Sequence, residues 1–409
     1  MSAGVTRAAR PIALIGTRGF GAVHLQRMAP LRESGRVRLM GVVDVAEPEP
    51  GIGAPWFPTL EALLAGADET PEVLIIATPI TTHADLARAG LAAGCHLYLE
   101  KPPVPSLAAH EDLLRAADAA GRAIQVGFQA RGGGGAARLR ALLADGVLGD
   151  VRSVDAFGAW QRDRAYYSRS PWAGRRRMDG RRVADGVATN PLAHAVDLAL
   201  LTAGMTRRGD IARITTELRR AHDIEADDTS YLRVDPVGPG PSVQAALVTT
   251  APAQSEPWIE IRGEQGSARL EYTTDRLVIT DPAGARTQED CGRRDLLVDL
   301  LDHLEDPTSP LLSPLASTEG FTTVLEATQS GPDPRPIDPE HVTWIGEDGA
   351  AHPVVRDIED WMRRALAAGA PFSRIGAPFA DPSAVHETAP SALTADPDPA
   401  SAPTGDDDR

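Results

Sequence analysis

The chain has almost no lysine: of its 41 lysine and arginine positions, only Lys101 is lysine. A primary ammonium is a compact donor that releases its proton far more readily than guanidinium does, so it is the cation suited to proton-transfer chemistry. Lys101 is therefore the first candidate for an active site; the plainer reading is one survivor of a general drift from Lys to Arg. Cysteine is nearly as scarce. Cys95 and Cys291 cannot build a disulfide framework in 409 residues, and neither has the spacing of a zinc site. No metal is expected, and a reducing compartment fits. Basic charge is short as well: a net charge of -16 argues against a nucleic-acid partner, which would call for basic surface. No apolar run approaches the length of a bilayer, and Met1 to Arg10 lacks the apolar segment of a secretory signal. The expectation is a cytoplasmic protein without a membrane partner.

What is present is a chain long enough for two domains, with 42% hydrophobic residues. From residue 11 to 128, short β-branched apolar runs alternate with Ala/Leu-rich helical patterns, the signature of βαβ units. Strands are expected at 12–15, 37–45, 73–77, 96–99 and 124–128, and helices at 22–33, 60–65, 82–93 and 107–120. After Gln129 a glycine-rich joint (132–135) and a helix to 145 precede strand-like segments without regular crossovers, at 151–160, 211–217, 230–234, 243–249, 258–262 and 267–272. A helix at 190–202 interrupts them, and further helices are expected at 296–304, 318–328 and 355–368. The fold class is α/β: an N-terminal doubly wound parallel sheet followed by an α+β domain on an open, mostly antiparallel sheet. The boundaries read 1–10 for a flexible start, 11–129 for a nucleotide-binding domain, 130–380 for a substrate and oligomerisation domain, and 381–409 for a tail. That tail is rich in Asp, Pro, Ala, Ser and Thr and holds too little apolar surface to offset ordering entropy, so it is expected to be disordered.

Directly after the first strand comes Gly16-Thr17-Arg18-Gly19-Phe20-Gly21, leading into a helix. A glycine-rich turn there lets backbone amides at the helix start approach a pyrophosphate. Arg18 stands where the usual second glycine would be, and its guanidinium is available to a phosphate. The second strand ends in Asp44, where a carboxylate hydrogen-bonds the adenosine ribose and repels a 2′-phosphate, which favours NAD and, with Arg18 close by, leaves NADP open. Thr78 and Pro79 end the third strand, His83 begins the next helix, and Glu100-Lys101-Pro102 ends the fourth. Ligands bind outside the carboxyl ends of parallel strands, so these residues belong to one crevice. Ordinary turn and capping roles are the alternative for Asp44 and His83. The arginines also cluster, at Arg175-Arg176-Arg177 and Arg181-Arg182; such a run is ordinarily a solvated loop and otherwise an anion site.

Thr78-Pro79 with His83, then a helix and Glu100-Lys101-Pro102, resembles the Gfo/Idh/MocA oxidoreductases, over the first half well and more loosely to about residue 380. The resemblance implies a lysine at the nicotinamide ribose and reacting oxygen, a proline that is often in a cis peptide, and a second domain whose open sheet often forms the subunit interface. It also implies a second motif, Asp, then His four residues on, then Asp three beyond. Here that stretch reads Asn190, His194, Asp197, with Asn in place of the first Asp. Asn cannot take a proton, so the base falls to His194, with Asp185 or Asp197 nearby; a core or capping histidine is the plainer reading. Gln129 and Arg131 match positions that face nicotinamide or substrate. Tyr166, Tyr167, Trp172 and Arg175 lie where the family places substrate-side loops, although loops also hold aromatics for packing.

The expectation is therefore an NAD-dependent dehydrogenase of a secondary alcohol in a sugar, cyclitol or related polyol, or of the matching ketone. Lys101, His194 and Asn190 are its catalytic residues. Gly16, Arg18, Gly19, Phe20, Gly21, Asp44, Thr78, Pro79, His83, Glu100, Lys101 and Gln129 are expected at the cofactor, and Arg131, Tyr166, Tyr167, Trp172, Arg175 and Asp197 at the substrate. A homodimer or homotetramer through the second-domain sheet is expected. Two other readings stand: a redox-neutral glycoside-cleaving enzyme that reduces bound NAD only transiently, and a cofactor-binding regulatory protein without turnover.

Overall fold

Short aliphatic runs make the first sheet because a parallel strand is covered on both faces and has no polar side to show. In the computed structural model, which describes residues 8–393, these are β1 (Arg10–Ile15), β2 (Val37–Val43), β3 (Trp56–Phe57), β4 (Val73–Ile76), β5 (His96–Leu99) and β6 (Ile124–Val126). The connections carry α1 (Phe20–Glu33), α2 (Leu60–Gly66), α3 (His83–Ala92) and α4 (Leu107–Ala120). All neighbours are parallel and the order is β3-β2-β1-β4-β5-β6. That order reverses direction between β1 and β4, the crevice where a doubly wound sheet takes its ligand. Composition did not announce β3, a two-residue strand.

The chain divides into two units, and the first comprises Met1–Val104, Ala109–Gly127 and Leu297–Leu315. The last of these segments returns to finish the sheet edge. The Val126 amide donates to Ser313 O (2.8 Å), and the buried Gln125 side chain donates to Asp299 (2.8 Å) while accepting from the Ser313 amide (3.1 Å). An unpaired strand edge is costly to leave open, and chain from far along the sequence covers it. The expected division at residue 129 thus becomes a division with a return.

The second unit comprises Pro105–Ala108, Phe128–Leu296 and Ala316–Arg409. Its elements are α5 (Gly134–Ala144), β7 (Val151–Ala159), α6 (Arg164–Ser168), β8 (Arg177–Met178), β9 (Arg181–Arg182), α7 (Ala193–Ala203), β10 (Ile211–Arg220), β11 (Thr229–Pro236), β12 (Ser242–Val248), β13 (Trp258–Gly263), β14 (Gly266–Glu271), β15 (Arg276–Thr280) and β16 (Arg286–Asp290). Beyond α8 (Leu296–Glu305), which apart from its first residue belongs to the first unit, come α9 (Glu319–Ser330), β17 (Arg335–Pro336), β18 (Val342–Ile345), β19 (His352–Val355), α10 (Ile358–Ala368) and β20 (Val385–Thr388). The large sheet runs β16-β15-β14-β13-β7-β12-β11-β10-β17 with β20 also on β10; most pairs are antiparallel, while β7 and β12 are parallel.

Alternation along the strands gives this sheet two working faces. Gly158 faces the helix that follows: a Cβ there would lie 2.6 Å from the Leu192 side chain, which enters α7. The opposite face is not open. Phe157, Tyr231, Ala246, Val248 and Trp258 are buried under Ile358, Met362, Ala365 and Leu366 of α10, together with Phe372 and Phe379. The chain's own C-terminal segment covers this part of the sheet face.

The tail also begins later than expected. Val385–Thr388 pairs antiparallel with β10, from Glu217↔Val385 to Ile214↔Thr388, and Arg208 donates to the Pro390 and Leu393 carbonyls (2.5 and 2.9 Å). Composition underrates such a segment because main-chain hydrogen bonds to an existing edge strand do not need apolar side chains. Residues 394–409, the rest of the expected tail, lie outside the described residues.

Candidate functional site

In the first unit the glycine turn is tight for a steric reason. Gly16 has φ +84°, and a Cβ on it would meet Ala77 O at 2.6 Å; a Cβ on Gly21 would meet Gly16 O at 2.0 Å. Only glycine lets strand, turn and helix start come this close. Gly19 also has positive φ (+55°) but faces open space, so its role is conformational. Arg18, Gly19 and Phe20 are exposed at the start of α1, whose first amides point along the helix dipole. At the end of β2, Asp44 accepts from the Thr17 amide (2.9 Å) and the Thr17 hydroxyl (2.6 Å), both through Oδ2. Burial pulls its carboxyl upward, but these bonds and the Arg18 charge outweigh that and hold it below the usual carboxylate value. A carboxylate has about four lone-pair positions, so one that accepts two bonds keeps capacity for ribose hydroxyls. The turn, helix start and ionised Asp44 fit a dinucleotide.

His83 and Glu100 turn inward. His83 is buried, with Nδ1 at 3.0 and 3.1 Å from the Pro102 and Pro103 carbonyls and Nε2 at 2.8 Å from Thr78 O. Burial lowers its pKa. Both nitrogens thus lie against main-chain oxygens, and the ring fastens the Thr78-Pro79 turn to the Lys101-Pro102-Pro103 turn. Glu100, also buried, meets His24 Nε2 of α1 at 2.8 Å and accepts from the Lys101 amide at 3.1 Å; His24 in turn packs edge-on against Tyr98 (4.9 Å). These bonds give His83 and Glu100 a supporting role: they set the loop on which Lys101 stands. The Lys101-Pro102 peptide is cis. Thr78 and Thr82 share a hydroxyl–hydroxyl bond (2.7 Å) beside Pro79.

In the second unit, Arg131 makes a bidentate pair with Asp197, Nε to Oδ2 at 2.7 Å and Nη2 to Oδ1 at 2.5 Å, and also donates to Ser317 Oγ (2.6 Å) and O (3.0 Å). The two residues are 4% and 1% exposed. Burial raises the Asp197 carboxyl, and Arg131 opposes the rise. Sequence position assigns both to the substrate; each is instead engaged by the other, fixing α7 to the turn after Phe128. Asn190 donates its amide to Asp185, which also accepts from the Gly174 amide (2.7 Å). His194, in the first turn of α7, packs edge-on against Phe128 (5.8 Å). The Gln129 carbonyl accepts from Arg293 (2.9 Å).

The aromatic loop is organised by an arginine that spacing did not single out. Arg169 lies over Tyr166 (3.7 Å) and Trp172 (4.7 Å), with Asp185 at 3.5 Å. Tyr167 bonds Thr249 (3.0 Å) and packs on His222 (4.6 Å), while Arg175 pairs with Glu225 at the surface (3.6 Å). Among the described residues no group of acidic, histidine or cysteine side chains could hold a metal.

Residues 10–128 match the oxidoreductase family with an NAD-binding Rossmann fold, and residues 136–269 match the GFO/IDH/MocA C-terminal domain. The chain belongs to the Gfo/Idh/MocA oxidoreductase family. Its relatives include an inositol 2-dehydrogenase of Gluconacetobacter diazotrophicus, 30% identical over 156 residues that make up 37% of this chain and 46% of that one. An uncharacterised oxidoreductase of Bacillus subtilis, YfiI, is 33% identical over 101 residues, 25% of this chain and 26% of that one. The chain thus spans less than half the length of these relatives. Among solved structures, an inositol dehydrogenase homologue from Azotobacter vinelandii complexed with NAD+ superposes with a TM-score of 0.65 at 20% identity, covering 81% of this chain and 98% of that one. The WlbA dehydrogenase of Bordetella pertussis in complex with NADH and UDP-GlcNAcA gives 0.64 at 21% identity, covering 78% and 95%. These similarities show the fold. As a Gfo/Idh/MocA protein the chain carries an NAD-binding Rossmann domain, in keeping with its glycine turn and Asp44. Sequence reasoning missed His24 and Arg169, which carry no motif; only the fold shows what they support.

Proposed function

We propose that the protein is an NAD-dependent dehydrogenase that interconverts a secondary alcohol of a sugar, cyclitol or related polyol with the corresponding ketone. The observation that carries this reading is the position of the chain's one lysine. Lys101 leaves the carboxyl end of β5, in the same parallel sheet whose β1 and β2 ends hold the glycine turn and Asp44. Gly16, Gly21, the α1 amides, Arg18 and Asp44 would hold NAD, with Thr78 and Pro79 beside them. Bound there, NAD supplies the hydride acceptor. Lys101 Nζ would stabilise the oxyanion that develops as the hydroxyl ionises, and the His194 imidazole would take that proton as general base. Asn190 cannot exchange a proton; its amide is committed to Asp185, so it positions the start of α7. The sugar or cyclitol class is supported by the inositol 2-dehydrogenase relatives.

The test begins by denaturing purified protein and identifying the released nicotinamide cofactor. Sugars and cyclitols are then screened for absorbance from reduced cofactor. Lys101→Arg is expected to lower kcat/KM by at least about a hundredfold with NAD still bound, the order of a lost electrostatic or acid–base group; near-full turnover would remove the lysine from the chemistry. A second reading follows from Asn190, where the family usually has Asp: net glycoside cleavage with bound NAD reduced only transiently. It predicts product formation without NADH release.

A further inference from the structure

The second unit contains a cleft of about 900 Å³ that none of the proposed chemistry uses. Its walls come from α6, the 173–177 loop, the turn after β10, the end of α9 and β18. Five arginines line it, Arg164, Arg175, Arg176, Arg177 and Arg220, against three carboxylates, Asp223, Glu225 and Asp333. Such a volume suits a small organic molecule, and the balance of charge favours an anion.

Arg176 is the residue that points to a ligand. It is 8% exposed, and its Nη2 donates to the Gln329 and Gly331 carbonyls (3.0 and 3.2 Å) while Nε faces Asp333 at 3.3 Å. Its Nη1 is buried with no hydrogen-bond partner. A buried guanidinium nitrogen left without an acceptor costs free energy that an arriving oxyanion would return. Asp333 is almost fully exposed, so it screens this charge poorly. Burial lowers the Arg176 pKa, against the opposing charges of Asp227 and Asp333. Beside it, Tyr167, His222 and Trp344 form a chain of ring contacts (4.6 and 5.7 Å), and Arg164 lies over Trp344 at 4.5 Å. These rings offer an apolar face, and Trp344 is 41% exposed.

We propose that this cleft is a binding site for a small organic anion, whose carboxylate or phosphate group is held by Arg176 with support from Arg175 and Arg177, and whose body rests on Tyr167 and Trp344. The site has a structural link to the helix of His194. The Gly174 amide is bound by Asp185, which holds Asn190, so a ligand on this loop stiffens the start of α7. Nothing in the proposal depends on hydride transfer. Its readout is binding, so failure of the dehydrogenase reading would leave it standing.

The test uses the full chain with NAD present and follows tryptophan fluorescence during titration with D-glucuronate, D-glucose 6-phosphate and neutral D-glucose. Trp344→Phe identifies the part of the signal that belongs to the cleft. One charged sugar is expected to bind at least tenfold more tightly than glucose, and which one does so distinguishes a carboxylate from a phosphate source. Arg176→Met should weaken that binding at least tenfold and leave glucose unaffected. Because Arg176 also ties two carbonyls, Arg177→Gln, on an exposed side chain, is measured alongside; it should weaken the charged sugar severalfold at unchanged melting temperature. Equal affinity for charged and neutral sugars, or charged-sugar binding indifferent to both substitutions, overturns the proposal.

Discussion

Arg131 and Asp197 illustrate how a residue's role is decided by what surrounds it. Their places in the sequence suit contact with substrate, yet two ions this deeply buried are stable only because each satisfies the other. Removing one partner leaves an uncompensated charge, so Asp197→Ala is expected to cost roughly 3–5 kcal/mol in urea unfolding, whereas the double replacement Arg131→Met with Asp197→Leu should recover most of that loss. If the single substitution proves mild and instead raises substrate KM, the pair belongs to the substrate after all. Asp44 makes a complementary case, since its side chain is held ionised beside a turn that has room for a ligand. Asp44→Ala should raise the NAD dissociation constant by about tenfold or more, the order of lost hydrogen bonds to a charged group, while leaving the melting temperature within a few degrees. Calorimetric titration checks the first and thermal unfolding the second.

At the scale of elements, β7 carries a carboxyl against its own interest. Asp155 is 1% exposed, and burial lifts its pKa from 3.8 to about 6, against the bond from Ser153 and the charge of Arg262. Between those two values the folded state holds a proton that the unfolded chain has released, so stability falls as pH rises through this window and the loss is complete above about 6. The loss amounts to at most about 3 kcal/mol, because each tenfold change in proton affinity corresponds to roughly 1.4 kcal/mol. Asp155→Asn keeps an acceptor for Gln244 and removes the charge; it should be more stable than the parent at pH 7 and equal to it near pH 4. A parent-like pH profile would show that the carboxylate is solvated in place. His96 on β5 acts in the opposite sense. Burial takes its pKa to about 4 from 6.5, so its contribution is lost as pH falls through that range, and the two effects partly cancel in the parent protein.

For the whole molecule, the decisive element is α10, which puts Ile358, Met362, Ala365 and Leu366 on the sheet face that the family resemblance left open for a partner. Leu366→Ala should cost about 2–5 kcal/mol, as for other buried large-to-small changes. Replacing Met362 with Asp should uncover Phe157, Tyr231 and Trp258 and produce association detectable by light scattering. A variant that stays monodisperse and equally stable would show that the helix does not cover that core.

The Rossmann half was legible because each parallel strand is a short aliphatic run and each turn needs its own residue type; the runs at 96–99 and 107–120 coincide with β5 and α4. The places of Lys101, Asp44 and the glycine turn at strand ends were legible for the same reason. The other assignments depended on partners far along the chain. The sequence gives no sign that Pro102, Pro103 and His24 hold His83 and Glu100, the 381–393 segment looked unstructured until β10 gave it an edge, and Arg176 looked like one of a solvated run until the end of α9 buried it. Local sequence sets backbone conformation and chemical capacity, because these follow from sterics and side-chain type. Burial and pairing depend on which distant segments meet, and only the folded chain decides that.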